Sequence, residues 1–558
     1  MSLTPGLQPN PASSGSLAGA IERFLLSPWS LLLAVLLAFV LSSYSVPLTD
    51  IDEGAFSEAT REMMARGNLV SPTLNGAPRH DKPILIYWAQ AASVSLLGPE
   101  EFGFRLPSIV AALLWMWALY RFCLRHGNPR TAQVAVLVMS LTVLVGVVAK
   151  AAIADALLNL FICLALFSVY DYFCAGRAGK TDIENRRLLL QTYAVLGLGF
   201  LTKGPVAVMF PLLIGSLFFV SAGAWRPWLR ALFYWPGWLL FLAIVVPWHV
   251  MVYIDQGDAF FRGFYLKHNL DRYSSTFEGH GGNTLYYVAV LPFVLLPFTG
   301  WLLAIAGRLW TGLRAGLQAR AEANLGQLLE RFLLVWFAVV FVFFSFSNTQ
   351  LPHYLMYGCT PLFILLARHR LEQERRLLAF LPVILLGLLF VFLPNILEFA
   401  ASRNTRPFEA IILAGLVDNF SGAERWWLAG FAGLVGGLAL WRRLPVWQGL
   451  VLIGLVQALL VFGVVFPLAV DVTQGPVREA GRLARLSGES VVAYKIHQPS
   501  FSVYRQAITP SRQPREGETI LTRVDKLAEV QRELAPLRIE ETYRRGFVVL
   551  GHVVAGPP

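Results

Sequence analysis

The sequence predicts an all-α polytopic membrane protein of about 13 transmembrane helices, ending in a small soluble α/β domain. Three observations carry that expectation. Of 558 residues, 56% are hydrophobic and 15% charged, which leaves too little polar surface for a soluble chain. Apolar runs of spanning or near-spanning length recur along most of the chain. After residue 470 the pattern changes to short helical and strand-like stretches of ordinary polarity.

The runs lie roughly at 28–47, 105–122, 131–149, 154–173, 187–201, 205–222, 231–253, 284–305, 331–346, 353–367, 377–395, 425–441 and 446–468. The arginine-rich loops between them then all fall on one side. They hold Arg121, Arg125 and Arg130; Arg177, Lys180, Arg186 and Arg187; Arg226 and Arg230; Arg308, Arg314 and Arg320; Arg368, Arg370, Arg375 and Arg376; and Arg442 with Arg443. By the positive-inside rule that side is the cytoplasm, with the N-terminus inside and the C-terminus outside. The net charge of +11 is thereby explained by topology, and nucleic-acid binding is set aside.

Residues 1–27 read as a flexible Pro/Ser/Gly-rich segment without a cleavable signal. PILIYWAQAASVSLLG at 83–98 is short for a span and carries Tyr87 and Trp88, an aromatic pair suited to the headgroup level. It is therefore assigned to the interface, as is IILAGLV within 396–424. The membrane domain then covers 28–469, with outward interfacial helices at about 52–98. In the soluble domain, 470–558, VREAGRLARL and KLAEVQRELA read as helices, and VVAYKI, TILTRV and RRGFVVLGHVV as strands. The four cysteines, Cys123, Cys163, Cys174 and Cys359, show no CxxC or metal spacing.

Ionisable groups at membrane depth are costly, so each asks for a reason. The outward loops contain Asp52 and Glu53, followed on one helix by Glu58, Arg61 and Glu62. Then come Lys82 in HDKP, Arg105 in FGFRLPS, Asp155 at the start of a span and Lys203 in LTKGP. His268 and Arg272 lie in KHNLDRY, and His353 and Tyr354 in QLPHYLM. Plain structural roles compete with functional ones. Glu58, Arg61 and Glu62 suit a solvated helix face with i,i+3 and i,i+4 pairing. Arg105 is read equally as a snorkelling anchor or a ligand contact. His249 suits an interface position and His280 a loop.

Lysines and an arginine at headgroup level suit a phosphate or diphosphate, and a carboxylate among them suits proton abstraction or stabilisation of developing positive charge. Transfer of a group from a lipid-linked phosphate fits that combination. A nucleotide-sugar enzyme would call for a soluble dinucleotide-type fold, and no GxGxxG occurs between a strand and a helix.

DIDEGAFSEATREM, LNGAPRHDKPILIYW, FGFRLPS, AIADALLNLF, LTKGPVA, PWHVMV, KHNLDRY and FSNTQLPHYLM follow one another in an order that resembles the GT-C glycosyltransferases. Within these the chain resembles the protein-mannosyltransferase-like branch, and in it the bacterial lipid A aminoarabinose transferases, over residues 28 to about 370. The resemblance implies an inverting transfer of 4-amino-4-deoxy-L-arabinose from undecaprenyl phosphate to a lipid A phosphate, by a monomer at the periplasmic face of the inner membrane. It implies Asp52, Asp155 and Glu53 as catalytic residues. Lys82, Lys203, Arg272, His268 and Tyr354 would hold the donor phosphate and lipid, with Arg105, His353 and Arg61 as further contacts. Two departures stand out: the arginine of KHNLDRY lies one residue farther from its histidine, and Asn348 and Gln350 replace two lysines. No cofactor is assigned; Asp52, Glu53 and His80 leave a divalent metal as an option. The competing functions are another polyprenyl-phosphate-sugar transferase, mannosyl or galactosyl, acting on protein or lipopolysaccharide core, and, from a different class, a lipid or sugar transporter.

Overall fold

Helices dominate the chain because apolar backbone in a membrane satisfies its hydrogen bonds only within itself. A computed structural model describes residues 17–271, 283–319, 323–372, 375–420 and 422–556. Among these, six helices are long and apolar enough to cross a membrane, or nine if each of three sharply bent pairs counts as one span. The thirteen apolar runs therefore do not all become spanning helices. Run 353–367 divides into a 3₁₀ segment, Pro352–Gly358, and a short helix, Thr360–Arg368. Run 205–222 yields a helix of 16 residues and run 425–441 one of 17. Runs 131–149 and 284–305 break, with bends of 69° and 116°. Hydropathy reports how much oil a segment contains, and it is blind to the bends that packing imposes.

The main core is built on buried tryptophans. Trp336 donates to the carbonyl of Tyr357 at 2.7 Å and Trp115 donates to Thr360 Oγ1 at 3.0 Å, so indole N–H groups fix the Pro352–Gly358 turn from within the bundle. At one end of the bundle lies the lip, a helix Asp52–Arg66 with two acids in its first turn and Gly67 closing it at φ 66°. A short hairpin, Thr73–Leu74 with Ala77–Pro78, and the helix Leu85–Leu97 follow it.

The last helical run extends without interruption from Val446 to Ser487, 42 residues. It passes through residue 470 and delivers the chain directly to the terminal sheet. That sheet has four strands: Val491–Ala493 pairs parallel with Thr519–Arg523, which pairs antiparallel with Val548–Val554, which pairs antiparallel with Arg538–Arg545. The outer strand, RIEETYRR, is largely exposed and charged, which is why periodicity did not reveal it and also how such an edge resists pairing with other chains. A further short helix, Pro499–Arg505, lies between this sheet and the lip.

Candidate active site

Two acid–base clusters sit at the lip end of the bundle. The first joins Glu53 to Arg105. The guanidinium meets the carboxylate through two hydrogen bonds of 2.9 Å, Nε to Oε1 and Nη2 to Oε2. Arg105 also donates to the carbonyls of Ser43, Val46 and Pro47, at 3.0, 2.6 and 2.8 Å. Glu53 accepts further from the amide and hydroxyl of Thr49 and from the amide of Ala152. Burial alone would raise the Glu53 carboxyl, but the Arg105 charge outweighs it and holds the group below its ordinary value. The pair is a buried rivet joining the chain before the lip, the helix Glu101–His126 and the segment leading to Asp155. Glu53 thus has no oxygen left for chemistry, and Arg105 is neither a snorkelling anchor nor a ligand contact. Their sequence-based assignment as site groups is corrected accordingly.

The second cluster joins four elements. Asp155 opens the helix Asp155–Arg177, and Lys203 ends the helix Asp182–Lys203. Lys203 Nζ donates to Asp155 Oδ1 at 2.7 Å and to the Tyr357 hydroxyl at 2.9 Å. Tyr357 in turn donates to the same Asp155 oxygen at 2.6 Å. His353 Nε2 lies 3.8 Å from that oxygen, and the Lys203 ammonium is 5.7 Å from the centre of the Tyr354 ring. The structure brings Asp155, Lys203, His353 and Tyr354 into one cluster, joined by Tyr357, which the sequence reading did not single out. The three-residue spacing from Tyr354 within one tight turn was the signal available.

Gly204, at φ 72°, lets the ring of Phe264 close against the turn after Lys203; a Cβ there would fall 2.7 Å from one ring carbon. Phe260 and Phe264 continue the contact towards the HDKP loop, where His80 Nε2 lies 2.9 Å from Gln256 Oε1. Lys82 stands on that loop, with Nζ donating to the Asp81 carbonyl. Asp52 is exposed at the start of the lip helix, one residue before the Glu53 rivet. His268 and Arg272 cannot be placed: the side chain of the first and the whole of the second lie outside the described residues, as does His280.

The lip helix is not a solvated face. Glu58 and Glu62 are fully covered. Arg61 binds Glu58 through two bonds of 2.7 and 2.6 Å, and Glu62 accepts from Thr73 and from the Gly76 amide. Burial, partly offset by Arg61, pushes the Glu58 carboxyl up to about 8. Arg61 is thus bonded to Glu58 rather than standing on a solvated face. Arg79, another residue the sequence did not single out, is buried over the Phe56 ring, and its Nη2 is 3.4 Å from Asp81. Among the described residues its Nε and Nη1 have no hydrogen-bond partner. His249, read as an interface residue, bonds Val245 and Tyr265 among aromatic rings. Among the described residues no three His, Cys, Asp or Glu side chains converge to hold a metal ion, and two members of the metal option, Glu53 and His80, face Arg105 and Gln256.

A buried acid–lysine–tyrosine cluster can bind an anionic group at the lysine, and a carboxylate can face a developing positive charge. The family model described as dolichyl-phosphate-mannose-protein mannosyltransferase matches residues 81–251, which include Lys82, Asp155 and Lys203. Over 97% of its length the chain superposes on all of the crystal structure of ArnT from Cupriavidus metallidurans bound to undecaprenyl phosphate, with a TM-score of 0.74 and 19% identity. The chain shares that protein's fold. It is a multi-pass membrane protein. The apo state of the same Cupriavidus protein gives a TM-score of 0.70 over 95% of this chain. Proteins named undecaprenyl phosphate-alpha-4-amino-4-deoxy-L-arabinose arabinosyl transferase share 26% identity over 381 residues in Shewanella sediminis and 30% over 355 residues in Serratia proteamaculans. Those alignments span 65% and 61% of this chain, and 65% and 59% of the relatives' own length.

Proposed function

We propose that the protein is an inverting, lipid-linked-sugar glycosyltransferase that moves 4-amino-4-deoxy-L-arabinose from undecaprenyl phosphate to a lipid A phosphate, at the periplasmic face of the bacterial inner membrane. The observation that carries this reading is the Asp155–Lys203–Tyr357 cluster, with Asp52 exposed one residue before Glu53, whose carboxylate binds the Ala152 amide three residues ahead of Asp155. The names of the relatives and the fold shared with the undecaprenyl-phosphate-bound Cupriavidus protein support the choice of sugar and carrier.

In the proposed step an acceptor phosphate oxygen attacks the anomeric carbon. The bond from that carbon to the lipid phosphate oxygen breaks, and undecaprenyl phosphate leaves with the electron pair. The acceptor oxygen is already anionic near neutral pH, so a strong base is unnecessary. Asp52 then orients the acceptor or faces the oxocarbenium-like sugar, while Lys82 and Lys203 meet the charge growing on the leaving phosphate. Arg272 and His268 belong to the same proposed phosphate grip, and Asp155 holds Lys203 in place directly, with Tyr357 bonded to both. Membrane lipids surround the donor's tail, and the enzyme acts as a monomer.

The family model's description favours one second reading, a mannosyl transfer to a protein hydroxyl, in which Asp52 becomes a true base. Reconstituted protein given the aminoarabinose donor and lipid A should produce lipid A heavier by one aminoarabinose, seen by mass spectrometry. Asp52→Asn should abolish most of that product. Wild-type turnover in the variant would end the catalytic assignment of Asp52, and transfer of mannose to peptide alone would favour the second reading.

A further inference from the structure

The helix Pro499–Arg505 belongs in sequence to the C-terminal domain but is shared between two cores. Phe501 packs with the terminal sheet, among Val477, Leu521 and Val548. Val503 and Tyr504 pack instead with Leu48, Phe104 and Ala152, beneath the lip. Six of its seven residues are buried. Gly481 permits this approach, since a Cβ there would fall 2.7 Å from Tyr504 Cβ.

Its polar atoms reach three segments that bear on the site. Ser500 offers both its amide, at 3.0 Å, and its hydroxyl to the carboxylate of Asp50, two residues before Asp52. Ser502 donates to Asn75 Oδ1 at 2.8 Å, in the tight hairpin turn that precedes Lys82. The Tyr504 hydroxyl accepts from the Leu48 amide at 2.7 Å and donates to Glu101 at 3.2 Å, at the start of the helix carrying Arg105. Gly54 is required for the closest of these contacts. A Cβ at that position would collide with the Asp50 carboxylate and fall 2.6 Å from the Ser500 amide.

From this geometry we infer that the Pro499–Arg505 helix is a positioning element of the transfer site: Ser500 sets Asp52 through Asp50, and Ser502 sets the Lys82 loop through Asn75. Ser500, Ser502, Asp50 and Asn75 are positioning residues, since none touches the reacting groups. The inference rests on the proposed role of Asp52 and Lys82. It explains why a membrane transferase carries a soluble domain on the side of its lip. A carboxylate on an exposed first turn is held to the tolerance that chemistry needs only by partners fixed elsewhere, and the paired Ser500 bonds to Asp50, anchored in a second core, supply them.

The test compares Ser500→Ala, Ser500→Thr and Asn75→Gly with wild type, in transfer kinetics and in hydrogen exchange of residues 48–56 and 75–82. Asn75→Gly keeps the left-handed turn that Asn75 adopts at φ 52° while removing its side-chain acceptor. Ser500→Ala should lower kcat about 10- to 100-fold with donor KM within about 2-fold, because misplacing a group by an ångström has that scale of effect. Exchange at 48–56 should rise in Ser500→Ala and at 75–82 in Asn75→Gly, with Ser500→Thr close to wild type in both readouts. Unchanged kcat and unchanged exchange in folded Ser500→Ala overturn the inference, as does a fall in thermal stability alone. Should Ser500→Ala not fold, Asn75→Gly decides by the same criteria. If wild type transfers no aminoarabinose, the proposed function fails, and exchange alone decides whether the helix holds the lip.

Discussion

The Glu53–Arg105 pair and the Asp155–Lys203 pair are both buried, both oppositely charged and both at the same end of the bundle, yet they have opposite uses. At the first, every polar atom is spoken for: three backbone carbonyls share the guanidinium, and a threonine and a backbone amide share the carboxylate. At the second, one oxygen of Asp155 gathers a lysine, a tyrosine and a more distant histidine, and Lys203 keeps part of its surface open. A saturated ion pair resists rearrangement and therefore builds scaffold. A cluster crowded on one oxygen and open on another side can exchange a partner for a ligand's oxygen. Charge type and depth alone do not separate the two cases. Hydrogen-bond accounting does.

The comparison can be broken most decisively at the scaffold. Arg105→Ala should cost about 3–5 kcal/mol by stranding a buried carboxylate, and it should appear as lost folded yield and a lowered unfolding temperature in detergent. Turnover per folded molecule measured at low temperature should change far less. At the open cluster the pattern should reverse. Lys203→Gln, which leaves Asp155 a polar neighbour and Tyr357, should lower turnover about 10²- to 10³-fold while the protein stays folded. If Lys203→Gln unfolds the protein instead, the two pairs are alike and the distinction fails. Tyr357→Phe removes two hydrogen bonds to charged groups, one from Lys203 and one to Asp155, each worth about 1.5–3 kcal/mol, and steady-state kinetics should show a loss of at least about ten-fold.

The smallest expected effect is a pH dependence at the junction between lip and C-terminal domain. Burial, only partly offset by the two bonds from Ser500, pushes the Asp50 carboxyl up from 3.8 to about 7. Glu58 is pushed up as well, to about 8. Both groups hold their protons longer when folded than when unfolded. Their contribution to folding is therefore fully present at low pH, falls as pH rises from about 4 towards 7 and 8, and is lost beyond. Thermal unfolding followed from about pH 4 to about pH 9 should show stability falling and then levelling off above about pH 8, and Asp50→Asn, which cannot ionise, should flatten part of that slope. A slope of the opposite sign would show that neither carboxyl is buried as described.

Much of the site was legible because membrane physics makes polar residues conspicuous. Asp155 and Lys203 stood out at the ends of apolar runs, and they meet at 2.7 Å. Tyr357 was hidden, since a tyrosine near a span reads as an interface anchor until its hydroxyl is seen on a carboxylate. Glu53 and Arg105 were visible as unusual but not as a pair, because 52 residues separate them and nothing local betrays a long-range partner. Arg79 and Ser500 gave no signal at all: an arginine beside a histidine and a serine in PSF are ordinary on a surface, and only burial makes them exceptional.

The amino-acid order alone determined that this chain is oily and helical, that its rare charges gather near a few span ends, and that a polar domain closes it. Those properties follow from composition and short-range periodicity, which need no knowledge of neighbours. Tertiary structure alone decided which acid is saturated by scaffold bonds and which shares one oxygen with a lysine and a tyrosine, where the apolar runs bend, and that a C-terminal helix grips the residues before Asp52. Each of those outcomes depends on pairing and packing between segments far apart in the chain, where a hydrogen bond is set by distance in space rather than by position in sequence.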